Sequence, residues 1–269
     1  MQTKHGRLYN LIVSVSAIVC MWVVWLIAYF AVNDGYVVPS LWDTVVEFFS
    51  LLCSARFWSA FGMTLARTAL SWLISLALAA ALASLSASFY GVRRFLAPFI
   101  AVFRTVPTMA ITLMLLIWSS PRVAPSIVAV LMVFPLSYAQ FMAAFDGTDI
   151  KLAEMAKVYG VPPAARLFRI YIPQILPPVL SQVGANLSLT LKVMISAEVL
   201  CSTFNSLGGL IYESNVFLDT AQMFALTISA LVAGGLLEWA LSKLTLLTRR
   251  WTGGESRVRR TKEEGDGRD

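Results

Sequence analysis

The sequence predicts an all-α integral membrane protein with six transmembrane helices and both termini in the cytoplasm. Three observations carry that expectation. Hydrophobic residues make up 58% of the 269 positions, charged residues only 13%, and mean hydropathy is +0.73, whereas soluble domains are about half apolar and a quarter charged. Apolar runs recur at about 11–32, 63–88, 99–118, 126–145, 175–200 and 223–247, and ~20 such residues cross a bilayer as a helix. The basic residues fall on one alternating set of connections: fifteen there, counting Lys4, Arg7, Arg93, Arg94, Lys151, Lys157, Arg166, Arg169 and seven in the tail, against only Arg56 and Arg122 on the other. Basic residues are retained on the cytoplasmic side, so the +6 net charge reads as topology rather than as a nucleic-acid surface.

Each element has its local reason. Residues 1–10 read as a basic cytoplasmic start, and Leu11–Val32 reads as a retained first helix rather than the competing signal peptide, since its apolar run exceeds a secretory core. Between 33 and 62, Ser40 and Asp43 have the spacing of a capping box. Val45, Phe48, Phe49 and Leu52 then line one side of a helix expected along the membrane surface. In the second span Ser71, Ser75, Ala79, Ala83 and Ala87 fall four apart, a small-residue stripe that admits a close neighbour, expected from the same subunit. Residues 90–98 read as a turn before the third span, which carries Arg104 and Pro107. Pro135 lies mid-way along the fourth span, where it removes a backbone donor and favours a kink. Residues 249–269, dense in charge and glycine, read as a disordered cytoplasmic tail.

The long polar interruption, residues 146–173, reads as a helical hairpin. Leu152, Met155, Ala156 and Tyr159 recur at helical spacing. Gly160 suits the left-handed end of that helix and Pro162–Pro163 the first turn of the next. Ala164, Leu167, Phe168 and Tyr171 repeat the spacing until Pro173, which is expected to stop the second helix.

Glu154, Ala156, Gly160, Ile170 and Pro173 resemble, in residue and spacing, the cytoplasmic signature of ABC-importer permeases, Glu-Ala-Ala, three residues, Gly, nine residues, Ile-x-Leu-Pro. The chain departs from it at Met155 and Ile172, both still apolar. The resemblance implies the type I ABC importer permease fold and a hairpin, with Glu154, Met155, Ala156, Tyr159, Gly160, Ile170 and Pro173 as its coupling residues, that docks on a separate ATPase subunit. It further implies two copies of this chain as a homodimer, two cytoplasmic ATPases carrying ATP and Mg, and an extracytoplasmic substrate-binding protein, in the bacterial inner membrane. Val38-Pro39-Ser40, Thr64-Leu65-x-Arg67, Ser196-Ala197-Glu198-Val199-Leu200 and Leu207-Gly208-Gly209-Leu210-Ile211 are similar to permeases of the nitrate, sulfonate and taurine subgroup, with Ser206-Leu207-Gly208 where the related pattern has Gly-x-Gly. The subgroup includes carriers of pyrimidine vitamin precursors.

The chain shows no chemistry of its own. No phosphate-cradling Gly-x-x-x-x-Gly-Lys occurs, and none of the fifteen glycines precedes a lysine, so no cofactor or nucleotide site is expected. Cys20, Cys53 and Cys201 are scattered, and His5 is the one histidine, which leaves no metal or catalytic constellation. A secondary transporter or channel that needs no ATPase is the rival reading, but the acid and histidine relays of a proton-driven pump are missing. Charges inside spans are functional suspects. Lys192 falls 16 residues after Leu176, roughly 24 Å along the fifth span, and Glu198 lies on a different face beyond it. Lys192, Glu198 and Pro107 are therefore the candidate residues of a substrate pathway, while Arg67, Arg104, Glu238 and Lys243 near span ends are expected to snorkel.

Overall fold

The computed structural model describes residues 4–32, 35 and 37–251, and among them every regular element is helical. Helices α1 (Lys4–Val32), α2 (Leu41–Cys53) and α3 (Ala55–Ser88) are followed by α4 (Tyr90–Thr105), α5 (Thr108–Trp118) and α6 (Ala124–Asp146). The hairpin contributes α7 (Ile150–Val158) and α8 (Pro163–Arg166), and a π-helical turn, Leu167–Tyr171, leads into α9 (Ile172–Leu200). A short α10 (Leu207–Val216) and the long α11 (Thr220–Trp251) complete the chain.

Four helices are long and apolar enough to cross a membrane: α3, α6, the Arg169–Leu200 run containing α9, and α11. They coincide with four of the six expected spans. The first expected span lies in α1, of which Val19–Val32 is the apolar part with described side chains. The third departs from expectation. Residues 90–98 are helix rather than turn, and α4 and α5 meet at a 98° bend. Pro107 causes the break: it has no N–H to donate, and it holds Val106 before it in the extended region (ψ 131).

Small side chains set the packing of the central layer, in which α3 lies along α6, α6 along α9 and α9 along α11. Ser71, Ser75, Ala79 and Ala83 are buried as the stripe requires, and their neighbour is α6 of the same chain. Ser75 Oγ donates to Ser71 O at 2.9 Å and lies 3.3 Å from Val130 O, and Ala79 and Ala83 cluster with Ile100, Tyr138 and Met142. At the stripe's end Ala87 is exposed and Ser86 is buried in its place, accepting from Tyr138 Oη at 2.9 Å. Pro135 sits inside an unbroken α6.

Ser40 caps α2 as expected, its Oγ accepting from Asp43 N at 3.0 Å and donating to Asp43 Oδ2 at 2.6 Å. The helix face is rotated from the one expected. Val45 and Phe49 are exposed, while Thr44 and Leu51 are buried and Phe48 and Leu52 pack on the core with Leu191, Leu207 and Leu226. Helix α2 is thus held against α11 rather than lying free. Trp25 anchors α1 to the same side, its ring tilted against Phe224 at 5.2 Å between centroids and its Nε1 donating to Pro39 O at 3.3 Å. Helix α11 continues to Trp251, past the expected end of the last span, and 252–269 lie outside the described residues.

Candidate functional site

The hairpin is built at its bend by backbone geometry. Gly160 has φ +68, and Val161 N donates to Ala156 O at 3.0 Å while Tyr159 N donates to Met155 O. The longer bond closes six residues around a left-handed glycine, the motif that satisfies the last carbonyls of a helix. Gln174 Oε1 accepts from Asp149 N at 2.8 Å, tying the entry of the hairpin to its exit. Arg93 Nη1 and Nη2 grip the two Asp146 oxygens at 2.9 and 2.8 Å, so α4 is joined to the root of the hairpin by a bidentate pair.

Pro173 does not stop the second hairpin helix. It stands at the second position of α9, inside helix that runs on from α8 through the π turn to Leu200. The wider π turn accounts for this, because it loosens the backbone where a proline ring would otherwise strike the carbonyl four residues earlier. Of the second apolar face, Ala164, Leu167 and Phe168 have side chains outside those described, while Tyr171 packs on Ala144, Ile175 and Val179.

On the first hairpin helix Ala156 is buried, but Leu152, Met155, Val158 and Tyr159 stand 43%, 54%, 85% and 78% exposed. Glu154 is exposed beside them and has no hydrogen-bond or ion-pair partner among the described residues. Ile170 is half-buried and Pro173 exposed. The chain therefore assembles Glu154, Met155 and Tyr159 on one open apolar surface next to the Gly160 bend.

At the opposite end of α9, Glu198 is fully buried. Its carboxylate accepts from Thr64 Oγ1 at 2.9 Å, from Arg67 Nη1 at 3.1 Å and from Gly208 N at 3.3 Å. Thr64 Oγ1 in turn accepts from Leu207 N at 2.9 Å. Three helices, α3, α9 and α10, are pinned by one carboxylate. Arg67 does not snorkel outward as expected. It pairs with Glu198, because three residues' spacing puts Thr64 and Arg67 on the same face of α3, and a buried acid demands a charge partner. Gly208 is required by the same node, since a side chain there would meet Ile195 O and Val199 N at 2.7 Å.

Lys192 faces elsewhere, as its six-residue offset from Glu198 demands. It is exposed in a cleft of about 600 Å³ lined by Thr108, Thr112, Ser196, Ile211 and Thr227 among others. Thr108 is the first residue of α5, so the Pro107 break brings α5 to the wall of the cleft that holds Lys192. The structure thus joins the Pro107 region with Lys192 and separates Glu198 from both. Mid-way along the bundle Gln140 and Asn186 exchange amide hydrogen bonds, Nε2 to Asn186 Oδ1 at 3.1 Å and Nδ2 to Gln140 Oε1 at 2.6 Å. Among the described residues no group of three His, Cys, Asp or Glu side chains is placed to hold a metal ion.

A family model described as "Binding-protein-dependent transport system inner membrane component" matches residues 77–247. The chain belongs to this family. The permease is therefore a multi-pass protein of the bacterial inner membrane and a transport subunit. It is 24% identical over 249 residues, 92% of this chain and 89% of the other, to SsuC of Bacillus subtilis (strain 168), a permease protein assigned to aliphatic sulfonates transport. A bacterial alginate ABC transporter, solved in complex with its alginate pentasaccharide-bound periplasmic protein, superposes with TM-score 0.61 at 15% identity, covering 94% of this chain and 99% of that one. The inward-facing MetNI methionine ABC transporter gives TM-score 0.61 at 14% identity over 70% of the permease and 94% of its own chain. These likenesses establish the type I importer permease fold.

The sequence reading missed Thr64, Gln140 and Asn186 as partners. Thr64 and Arg67 had a local signal in their spacing. Gln140 and Asn186 had one too, because a buried amide within a span needs a polar partner on a neighbouring helix.

Proposed function

We propose that the permease is the membrane-spanning half of an ATP-driven importer of a small solute, in which two copies form the path. Two cytoplasmic ATPase subunits, which carry ATP and Mg, would receive the two hairpins, and a binding protein would deliver the solute at the face that carries α10. The observation that supports this most is the exposed apolar surface of Leu152, Met155, Val158 and Tyr159 beside Glu154, which has no partner among the described residues. Such a patch on a short polar hairpin, rimmed by charge, is what a docking partner covers. It sits where the basic residues put the cytoplasm.

In this reading the hairpin, held at its root by Arg93–Asp146 and at its base by Gln174, moves as one body with α9 when the ATPases close. Because helix runs without a gap from α8 through the π turn into α9, displacement of the hairpin tilts α9 and with it the wall that carries Lys192. The bundle then has two arrangements, and nucleotide on the partner biases between them. Likeness to SsuC favours aliphatic sulfonates as solute, with nitrate, taurine and pyrimidine vitamin precursors as the alternatives.

The test is uptake of radiolabelled ethanesulfonate into proteoliposomes holding the permease with its ATPase and binding protein. Uptake that requires all three proteins and internal ATP is expected. Uptake by the permease alone, driven by an ion gradient, would assign it to secondary transport instead.

A further inference from the structure

We propose that Lys192 is a charge-selecting residue of the permease itself, which draws the anionic group of the passing solute into the cleft between α5, α9 and α11. This goes beyond the importer reading above and rests on it only for the direction of transport.

Lys192 is the sole charged residue among those lining the cleft, and no acidic side chain lines it. The three ion pairs among the described residues are Arg56–Glu213, Arg67–Glu198 and Arg93–Asp146, and Lys192 is in none of them. Glu198, the acid closest in sequence, has its oxygens filled by Thr64, Arg67 and Gly208. A cation left without a counter-charge within a spanning helix is costly and marks a route for charged cargo.

The rest of the lining sharpens the chemistry. Thr112 Oγ1 donates to Thr108 O, Ser196 Oγ to Lys192 O and Thr227 Oγ1 to Met223 O. Each hydroxyl spends its proton on its own helix, so among these groups Lys192 is the donor able to meet an anion. The remaining wall is apolar, with Met109, Ile195, Val199 and Ile211. One ammonium in an otherwise uncharged, largely apolar wall fits a singly charged organic anion with a short apolar body. A divalent anion would need a second cation, and a cation would be repelled.

The experiment reads the field of Lys192 without requiring the natural solute. In the permease assembled with its ATPase, with Cys20, Cys53 and Cys201 replaced by alanine, Ser196→Cys places a thiol one turn from Lys192, and Thr227→Cys places one on α11 across the cleft. Each is treated with anionic 2-sulfonatoethyl methanethiosulfonate and cationic 2-(trimethylammonio)ethyl methanethiosulfonate; the thiolate displaces methanesulfinate from either and forms a mixed disulfide. The ratio of anionic to cationic labelling rates should fall about tenfold or more on adding Lys192→Gln, since a unit charge acts oppositely on the two reagents at this range. Lys192→Arg should keep the ratio. A ratio that ignores Lys192→Gln at both reporter positions overturns the proposal, as does failure of both thiols to react with or without ATP. The importer reading is scored separately, by whether either labelling rate responds to ATP, so a charge-dependent ratio with no response to ATP would keep this site and reject ATP coupling.

Discussion

The Thr64 hydroxyl donates to the Glu198 carboxylate at 2.9 Å across 134 positions of sequence, in a site closed to solvent. That bond sets α3 against α9, and Arg67 and the Gly208 amide complete the shell around the acid. The node fixes the end of α9 opposite the hairpin.

Removing Glu198 should be the most damaging single polar change in the bundle. Glu198→Ala strands Arg67, Thr64 and the Gly208 amide, and breaking a buried pair by deleting one partner costs about 3–5 kcal/mol. Thr64→Val deletes one neutral donor and strands Leu207 N, a loss of about 1–3 kcal/mol. Thermal unfolding of the purified permease in detergent should rank the variants in that order.

The Gly160 bend should act through the backbone alone. Nothing lies within 4 Å of a side chain added there, yet φ is +68, so Gly160→Val costs roughly 1–3 kcal/mol of local strain without a clash. The protein should still reach the membrane, while ATP hydrolysis is uncoupled from uptake. Gly160→Asn, which tolerates the left-handed region, should restore most coupling. Full-rate uptake by reconstituted Gly160→Val would refute the role given to the bend.

Gln140 and Asn186 should behave as a unit. Asn186→Leu leaves the Gln140 amide unpaired in the bundle and should cost about 1–3 kcal/mol, whereas replacing both with Leu should come close to neutral. A double-mutant cycle in thermal unfolding measures the coupling, and purely additive losses would show that the two amides are independent.

The Arg93–Asp146 pair is exposed on both sides, 47% and 50%, so its stabilising effect should stay within about 1 kcal/mol. Its role is to fix α4 to the hairpin root. Asp146→Asn should therefore leave thermal unfolding nearly unchanged and lower the yield of uptake per ATP. Exchanging the charges, Arg93→Asp with Asp146→Arg, should recover part of it.

Where the controlling physics is local, the chain could be read in advance. Ser40 and Asp43 cap α2 because a cap needs only neighbours in sequence, and Gly160 takes the left-handed turn for the same reason. The Ser71–Ala83 stripe announces a close helix contact because small residues at fourfold spacing serve little else. Other features depend on partners far along the chain. Pro107 is visible in the sequence, but the 98° direction change between α4 and α5 is set by the walls that receive α5. Pro173 looks like a stop until the π turn before it relieves the clash. Arg67 looks like an interfacial side chain until the fold brings Glu198 to it. Of the proposed pathway residues, Lys192 and the Pro107 bend meet in one cleft, and Glu198 is spent elsewhere in holding the fold.

The central claim is that the hairpin hands work from a separate ATPase to this bundle, and a site-specific cross-link tests it most directly. With p-benzoylphenylalanine at Tyr159, which is exposed beside Gly160, illumination of the assembled transporter should join the permease to its ATPase subunit, with a yield that changes on adding ATP. Reaction of Tyr159→Cys with a membrane-impermeant thiol reagent applied from outside intact cells, together with no cross-link to the ATPase, would contradict the account.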